Sequence, residues 1–247
     1  MIDFFTMETV AALLTLTALE VVLGIDNIVF IALLVGRLPE HQRPRARTIG
    51  LVLAMVARIV LLLGIKWIMG LDQPWFSILE HPFSGRDIIL LLGGGFLVYK
   101  ATVEIHDKLE GSKETLHQPK GASYGSVLAQ IVALDIVFSL DSVITAVGMV
   151  KAGPGQTWEP LAIMITAIVI AILVMIAFAG KIARFIERHP TTKMLALAFL
   201  LMIGVVLMAE SFHQEIPRGY IYAAMAFSVF VEMLNLKIHQ KKSGEAV

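Results

Sequence analysis

The chain contains no cysteine, which excludes disulfides, thiolate metal centres and cysteine nucleophiles. It is also poor in charge. Asp, Glu, Lys and Arg make up 16% of its 247 residues and hydrophobic residues 57%, whereas a soluble domain is about a quarter charged and about half apolar. Its 20 acids and 20 bases cancel, so no basic surface speaks for nucleic acid, and none is expected as a partner. The segment Met1 to Glu8 has no Lys or Arg ahead of the first apolar run, so the basic n-region of a cleaved signal peptide is missing and none is expected.

What remains are apolar runs of membrane length. Seven spans are predicted, at about 10–35, 48–69, 87–105, 125–149, 159–180, 193–211 and 219–237. Fourteen of the 20 basic residues fall after spans one, three and five or in the tail, among them Arg43, Arg45, Arg47, Lys181, Arg184, Lys241 and Lys242. The positive-inside bias then places the amino terminus outside and the carboxyl terminus in the cytoplasm, which requires an odd number of spans. Trp67, Trp75 and Trp158 lie near predicted outer boundaries, as interfacial anchors should. The polar stretch at about 106–124 reads as a cytoplasmic linker between two halves. Gly93-Gly94-Gly95 in span three suits the close approach of another helix better than a phosphate, since no P-loop pattern surrounds it.

Two acids lie where acids are most costly. Glu20-Val-Val-Leu-Gly-Ile-Asp26-Asn27 sits inside span one, and Asp135-Ile-Val-Phe-Ser-Leu-Asp141-Ser142 repeats its form in span four, 115 residues later. Ionisable groups at such depth point to function. The second motif comes three spans after the first, an odd offset, so the second half enters the membrane in the opposite sense. The expected fold is therefore an all-α polytopic bundle with a 3+3 inverted-topology repeat and one extra helix. It forms a single transmembrane domain, with repeat one at about 10–105, repeat two at about 125–213 and the seventh helix at about 219–237.

The motifs supply four carboxylates (Glu20, Asp26, Asp135, Asp141) and two neutral oxygen donors (Asn27, Ser142). Oxygen-only ligands suit hard divalent ions such as Mg²⁺, Ca²⁺ or Mn²⁺, and no His or Met cluster joins them to favour copper or zinc. Arg58 lies at the centre of span two, and one of the four acids is its expected partner. The charge left over after one divalent ion binds favours a carboxylate that also holds a proton, so exchange of metal for protons is the expected coupling. Glu210, toward the outer end of span six, is a candidate ligand at the mouth. His106 and His213 stand near span ends, where loop histidines are ordinary, and Glu232 in span seven has no counterpart in the repeat.

Six positions along a helix turn a side chain by about 240° and raise it by roughly 9 Å. Each acid pair therefore marks either successive stations on a path or a helix broken between the acids. Gly24 and Ser139, at matching places, favour a break, because Gly tolerates unwound backbone and Ser can bond freed carbonyls.

The two motifs resemble those of the TerC family of integral membrane proteins, which belongs with the LysE-type exporter superfamily. The similarity extends through Arg58, the stretch from Ile203-Gly204 to Glu210, and Ile216-Pro217-Arg218-Gly219-Tyr220-Ile221-Tyr222. The resemblance implies a non-enzymatic manganese exporter of a bacterial inner (plasma) membrane, without a prosthetic group, in contact with lipid and a divalent ion. It also implies metal-site roles for Glu20, Asp26, Asn27, Asp135, Asp141 and Ser142. Some relatives carry a cytoplasmic nucleotide-sensing extension; none is expected after the seventh span here. Two other classes compete: an intramembrane aspartyl protease with Asp26 and Asp141 as its dyad, and a non-transporting partner in the assembly or metallation of exported proteins.

Overall fold

Backbone amides in hydrocarbon have no water to pair with, so apolar runs of this length close their hydrogen bonds as helix. The computed structural model describes residues 7–64, 70–71, 73–78, 81–110, 123–149, 158–214 and 216–244; at some helical positions, including Asp26 and 141–149, it describes the backbone alone. The long helices are α1 (Met7–Val35), α2 (Arg43–Leu63), α3 (Gly85–Leu109), α4 (Tyr124–Met149), α5 (Trp158–Arg188), α6 (Pro190–Ser211) and α7 (Arg218–Gly244). Six of them are long and apolar enough to cross a membrane, and the described side chains of the seventh, α4, form an apolar helix over Tyr124–Leu140. This is a multi-pass, all-α membrane protein.

Helix ends differ from the predicted spans where charge continues a helix past the apolar region. α3 carries His106 and Lys108 in its last turn, where cations suit the helix dipole. α5 runs eight residues past the predicted end, through Lys181 and Arg184 to Arg188. The linker core, 111–122, lies outside the described residues, as does Trp67. Between α2 and α3 stands an antiparallel hairpin that the sequence reading did not anticipate, β1 (Pro74–Ile78) with β2 (His81–Ser84). Phe76 pairs with Phe83, their rings stacked at 5.9 Å. The hairpin leads into a capping box: Ser84 Oγ accepts from the Asp87 amide at 3.2 Å, and Asp87 Oδ2 accepts from the Ser84 amide at 2.9 Å.

The expected breaks at Gly24 and Ser139 are absent. α1 and α4 are continuous through both motifs. Gly24 makes room for α5, since a Cβ there would overlap Met175 Sδ. Ser139 turns its hydroxyl outward to other side chains. Glu20 and Asp135 are satisfied across helices without unwound backbone.

The chain divides into two compact units. The first comprises α1, α2, the hairpin, the first turn of α3, α4 and most of α5; the second comprises the rest of α3, α6 and α7. In the first unit α2 packs most extensively on α4, and α1 packs on both. The buried face of α2 reads Ala46, Gly50, Ala54, Arg58, Leu62 at every fourth position, and a Cβ on Gly50 would come within 2.8 Å of Ile131 Cδ1. Small residues let helices approach where lipid offers no hydrophobic drive for association. α5 shows the same period, with Ala167, Ala171, Met175, Ala179 and Ala183 buried.

In the second unit the glycine run of α3 finds its neighbour in α6. A Cβ on Gly94 would lie 2.6 Å from the Gly204 carbonyl oxygen, and one on Gly204 would lie 2.8 Å from that of Gly94. Glu232 of α7 accepts from the Thr191 hydroxyl in the first turn of α6, and from Thr192 at 3.4 Å, so it ties two helices together. α6 ends with His213 at φ 57°. The Gln214 amide reaches the Ala209 carbonyl at 3.1 Å and the His213 amide that of Glu210 at 2.9 Å, which makes His213 the left-handed residue of a Schellman cap. Gly94→Ala and Gly204→Ala should each destabilise the protein by about 1–3 kcal/mol through overpacking. Gly95→Ala, with open space around its Cβ, should be neutral; thermal unfolding in detergent compares the three.

Candidate functional site

On a helix, seven positions return a side chain to within about 20° of its starting direction. Glu20 and Asn27 therefore share a face of α1, and both are buried. On α4 the buried positions Val127, Ile131, Asp135 and Ser139 recur every fourth residue and form the face that receives α2. Arg58, fourth in the α2 stripe, reaches across at this level.

Its guanidinium gives a separate nitrogen to each of three acceptors. Nη1 donates to Glu20 Oε2 of α1, Nη2 to Asp135 Oδ1 of α4 at 2.8 Å, and Nε to Ser139 Oγ at 2.9 Å. Asn27 Nδ2 donates to the same Asp135 Oδ1 at 2.9 Å, and Ser139 Oγ to Asp135 Oδ2 at 3.1 Å. Asp135 thus accepts three hydrogen bonds. Arg58 is 2% exposed and Asp135 4%, so the contacts are made without competing water and their polar partners must be supplied by protein. Two carboxylates and one guanidinium leave one formal negative charge.

The network takes the first acid of each motif, where the sequence suggested a single partner for Arg58. It also takes Asn27, and it takes Ser139, which had been assigned to a helix break. The signal for Ser139 was present in its spacing: four residues after Asp135, it shares that acid's face. Gly24 stands at the matching place in the first motif, and there it meets Met175 of α5 where Ser139 meets Arg58 of α2. Asp26, Asp141 and Ser142 lie within continuous helices, and their side chains are outside the described residues. Glu210 belongs to the second unit, in the last turn of α6. Among the described residues, no group of three or more His, Asp or Glu side chains is placed to hold a metal ion.

A multi-pass helical protein with paired acidic motifs and one mid-span arginine matches, over residues 5–244, the model of the integral membrane protein TerC family. The chain belongs to the TerC family. This TerC protein is 51% identical over 234 residues to a UPF0053 protein of Haemophilus influenzae, covering 94% of this chain and 95% of that one. It is 51% identical over 232 residues to the UPF0053 inner membrane protein YgdQ of Escherichia coli, covering 94% of each. To the inner membrane protein YoaE of Escherichia coli it is 50% identical over 226 residues, 91% of this chain but 42% of YoaE, so it spans less than half of that relative. No solved structure matches it at a significant level.

Removing one member of a buried ion pair costs about 3–5 kcal/mol, because a charge is left uncompensated. Arg58→Met should therefore lower stability by that amount. Adding Glu20→Gln and Asp135→Asn should restore most of the loss, by taking away the stranded charges. Unfolding in detergent tests this, and a triple variant no more stable than Arg58→Met would count against the network.

Proposed function

We propose that this protein is a secondary transporter that exports a hard divalent cation, Mn²⁺ first among them, through a carboxylate site at the membrane midplane. The observation that carries the proposal is the buried network joining Glu20, Asn27, Arg58, Asp135 and Ser139. A purely structural helix bundle gains little from acids at this depth, which are expensive in hydrocarbon and mark ion paths. Glu20, Asp26, Asn27, Asp135, Asp141 and Ser142 are the proposed ion ligands, Arg58 their charge partner and Glu210 a ligand at the mouth. The choice of Mn²⁺ rests on the resemblance to manganese-exporting members of the family, since oxygen donors alone accept several hard ions.

The architecture proposed is one transmembrane domain with seven crossings, two inverted repeats of three helices at about 10–105 and 125–213, and a seventh helix at about 219–237. Two observations support it. The first unit holds the first and second helices of both halves, and the second unit holds both third helices. Contacts at the matching motif positions are reciprocal, α4 with α2 at Ser139 and α1 with α5 at Gly24. The proposed setting is an inner membrane, in line with the printed names of YgdQ and YoaE. The amino terminus is outside and the carboxyl terminus cytoplasmic, in line with the distribution of Lys and Arg.

The test is purified protein in vesicles loaded with a Mn²⁺-sensitive dye. Wild type should move Mn²⁺, and Glu20→Gln, Asp26→Asn, Asp135→Asn and Asp141→Asn should each slow the flux by about tenfold or more. No flux of any divalent ion, or Asp26→Asn indistinguishable from wild type, would sink the transport reading and favour an assembly or metallation role. The residual negative charge at the site predicts proton exchange, so an opposed proton gradient should accelerate the flux. Flux indifferent to both pH and gradient contradicts the coupling.

A further inference from the structure

A hard cation at this site needs carboxylate and neutral oxygens held by two helices. Arg58 already takes such a set: Glu20 from α1, and Asp135 and the Ser139 hydroxyl from α4, each through a different nitrogen. Both oxygens of Asp135 are engaged, Oδ1 by Arg58 and Asn27 and Oδ2 by Ser139. A divalent ion added beside the guanidinium would confront a fixed positive charge at contact distance in a water-poor interior, where such repulsion is poorly screened.

We propose that Arg58 is a tethered substitute for the transported ion: guanidinium and divalent cation are alternative occupants of the Glu20–Asp135 pair. The proposal rests on the transport reading and deepens it. In the state seen here the tethered cation is in place. When the ion enters, two carboxylates and a divalent charge become formally neutral, and the guanidinium withdraws. No bond is made or broken covalently; one cation replaces another.

Two features of the first unit fit this exchange. Arg58 is carried by α2, whose other buried residues, Ala46, Gly50, Leu51, Ala54 and Leu62, are uncharged. The guanidinium therefore gives α2 a directional polar tie to α4, through Asp135 and Ser139, and its release removes that tie. The second feature is asymmetry. Opposite Gly24, at the matching place in the other motif, α5 presents Met175, buried and uncharged. The matching contacts thus bring a cation to Ser139 and an uncharged side chain to Gly24, so a single guanidinium, bridging Glu20 and Asp135, is what departs. The withdrawn guanidinium needs a new anion, and one of Asp26 and Asp141, six residues further along the two helices that it leaves, pairs with it in place of the ion.

The test uses the full chain in lipid nanodiscs, with thermal stability followed as MnCl₂ is titrated. A competitor removed from its site raises the affinity of the other occupant, so Arg58→Gln should reach half-saturation at an about tenfold lower Mn²⁺ concentration than wild type. Arg58→Lys, which keeps the charge but cannot bridge both acids, should fall between them and stands in if Arg58→Gln does not fold. In the Arg58→Gln background, Glu20→Gln with Asp135→Asn should abolish the response. Equal or weaker binding by the Arg58 variants than by wild type overturns the competition and leaves transport standing. A response that survives loss of both acids places the ion elsewhere and has the same consequence. No stabilisation of wild type or any variant by Mn²⁺, Mg²⁺ or Ca²⁺ overturns the carboxylate ion site itself, and this inference with it.

Discussion

A guanidinium surrounded by apolar helices must be met by anions or it will not stay there. Arg58 meets that constraint by drawing Glu20 and Asp135, 115 residues apart in sequence, onto one group. Much of the first unit follows. α2 and α4 must approach closely enough for an arginine to reach a carboxylate and a hydroxyl, which the small residues Gly50 and Ala54 permit. α1 must present Glu20 and Asn27 on one face, which their separation of seven residues ensures. Arg58→Lys would shorten this bridge and remove its planar fork.

The membrane class, the positions of all seven helices and the identity of the paired motifs were legible in the sequence, because apolar runs and intramembrane charge are strong signals. Less legible was the direction of each side chain. The six-residue separation of Glu20 and Asp26 does not suit one intact helix and one compact ion, and on that ground alone Gly24 and Ser139 look like points of fracture. Helix arithmetic offered another route: the four-residue step from Asp135 to Ser139 and the seven-residue step from Glu20 to Asn27 each keep a face. Those steps join the network, and both helices stay intact. The long reach of Arg58 does what unwound backbone had been invoked to do. The hairpin is hard to read in sequence because its strands are short, with Pro74 opening the first and Pro82 inside the second.

Glycine serves different ends in the two units. Gly24 and Gly50 admit a side chain from another helix, Met175 and Ile131, whereas Gly94 and Gly204 bring backbone to backbone. In the second kind the nearest atom is a backbone carbonyl, which cannot give way as a side chain can, so those positions define a fixed contact between α3 and α6. Glu232, which had no assigned role, bonds the threonines that open α6, where an anion also complements the helix dipole. Of the acids read as exceptional, this one is accounted for by packing, and Glu20 and Asp135 by a cross-helix site.

The central claim is that the two motifs form one site through Arg58, and a thermodynamic cycle tests it most directly. Glu20→Gln and Asp135→Asn would be compared singly and together by unfolding in detergent. Both acids depend on one shared guanidinium, so their effects should be non-additive by about 1 kcal/mol or more. Additivity within about 0.5 kcal/mol, as for independent sites, would contradict the account.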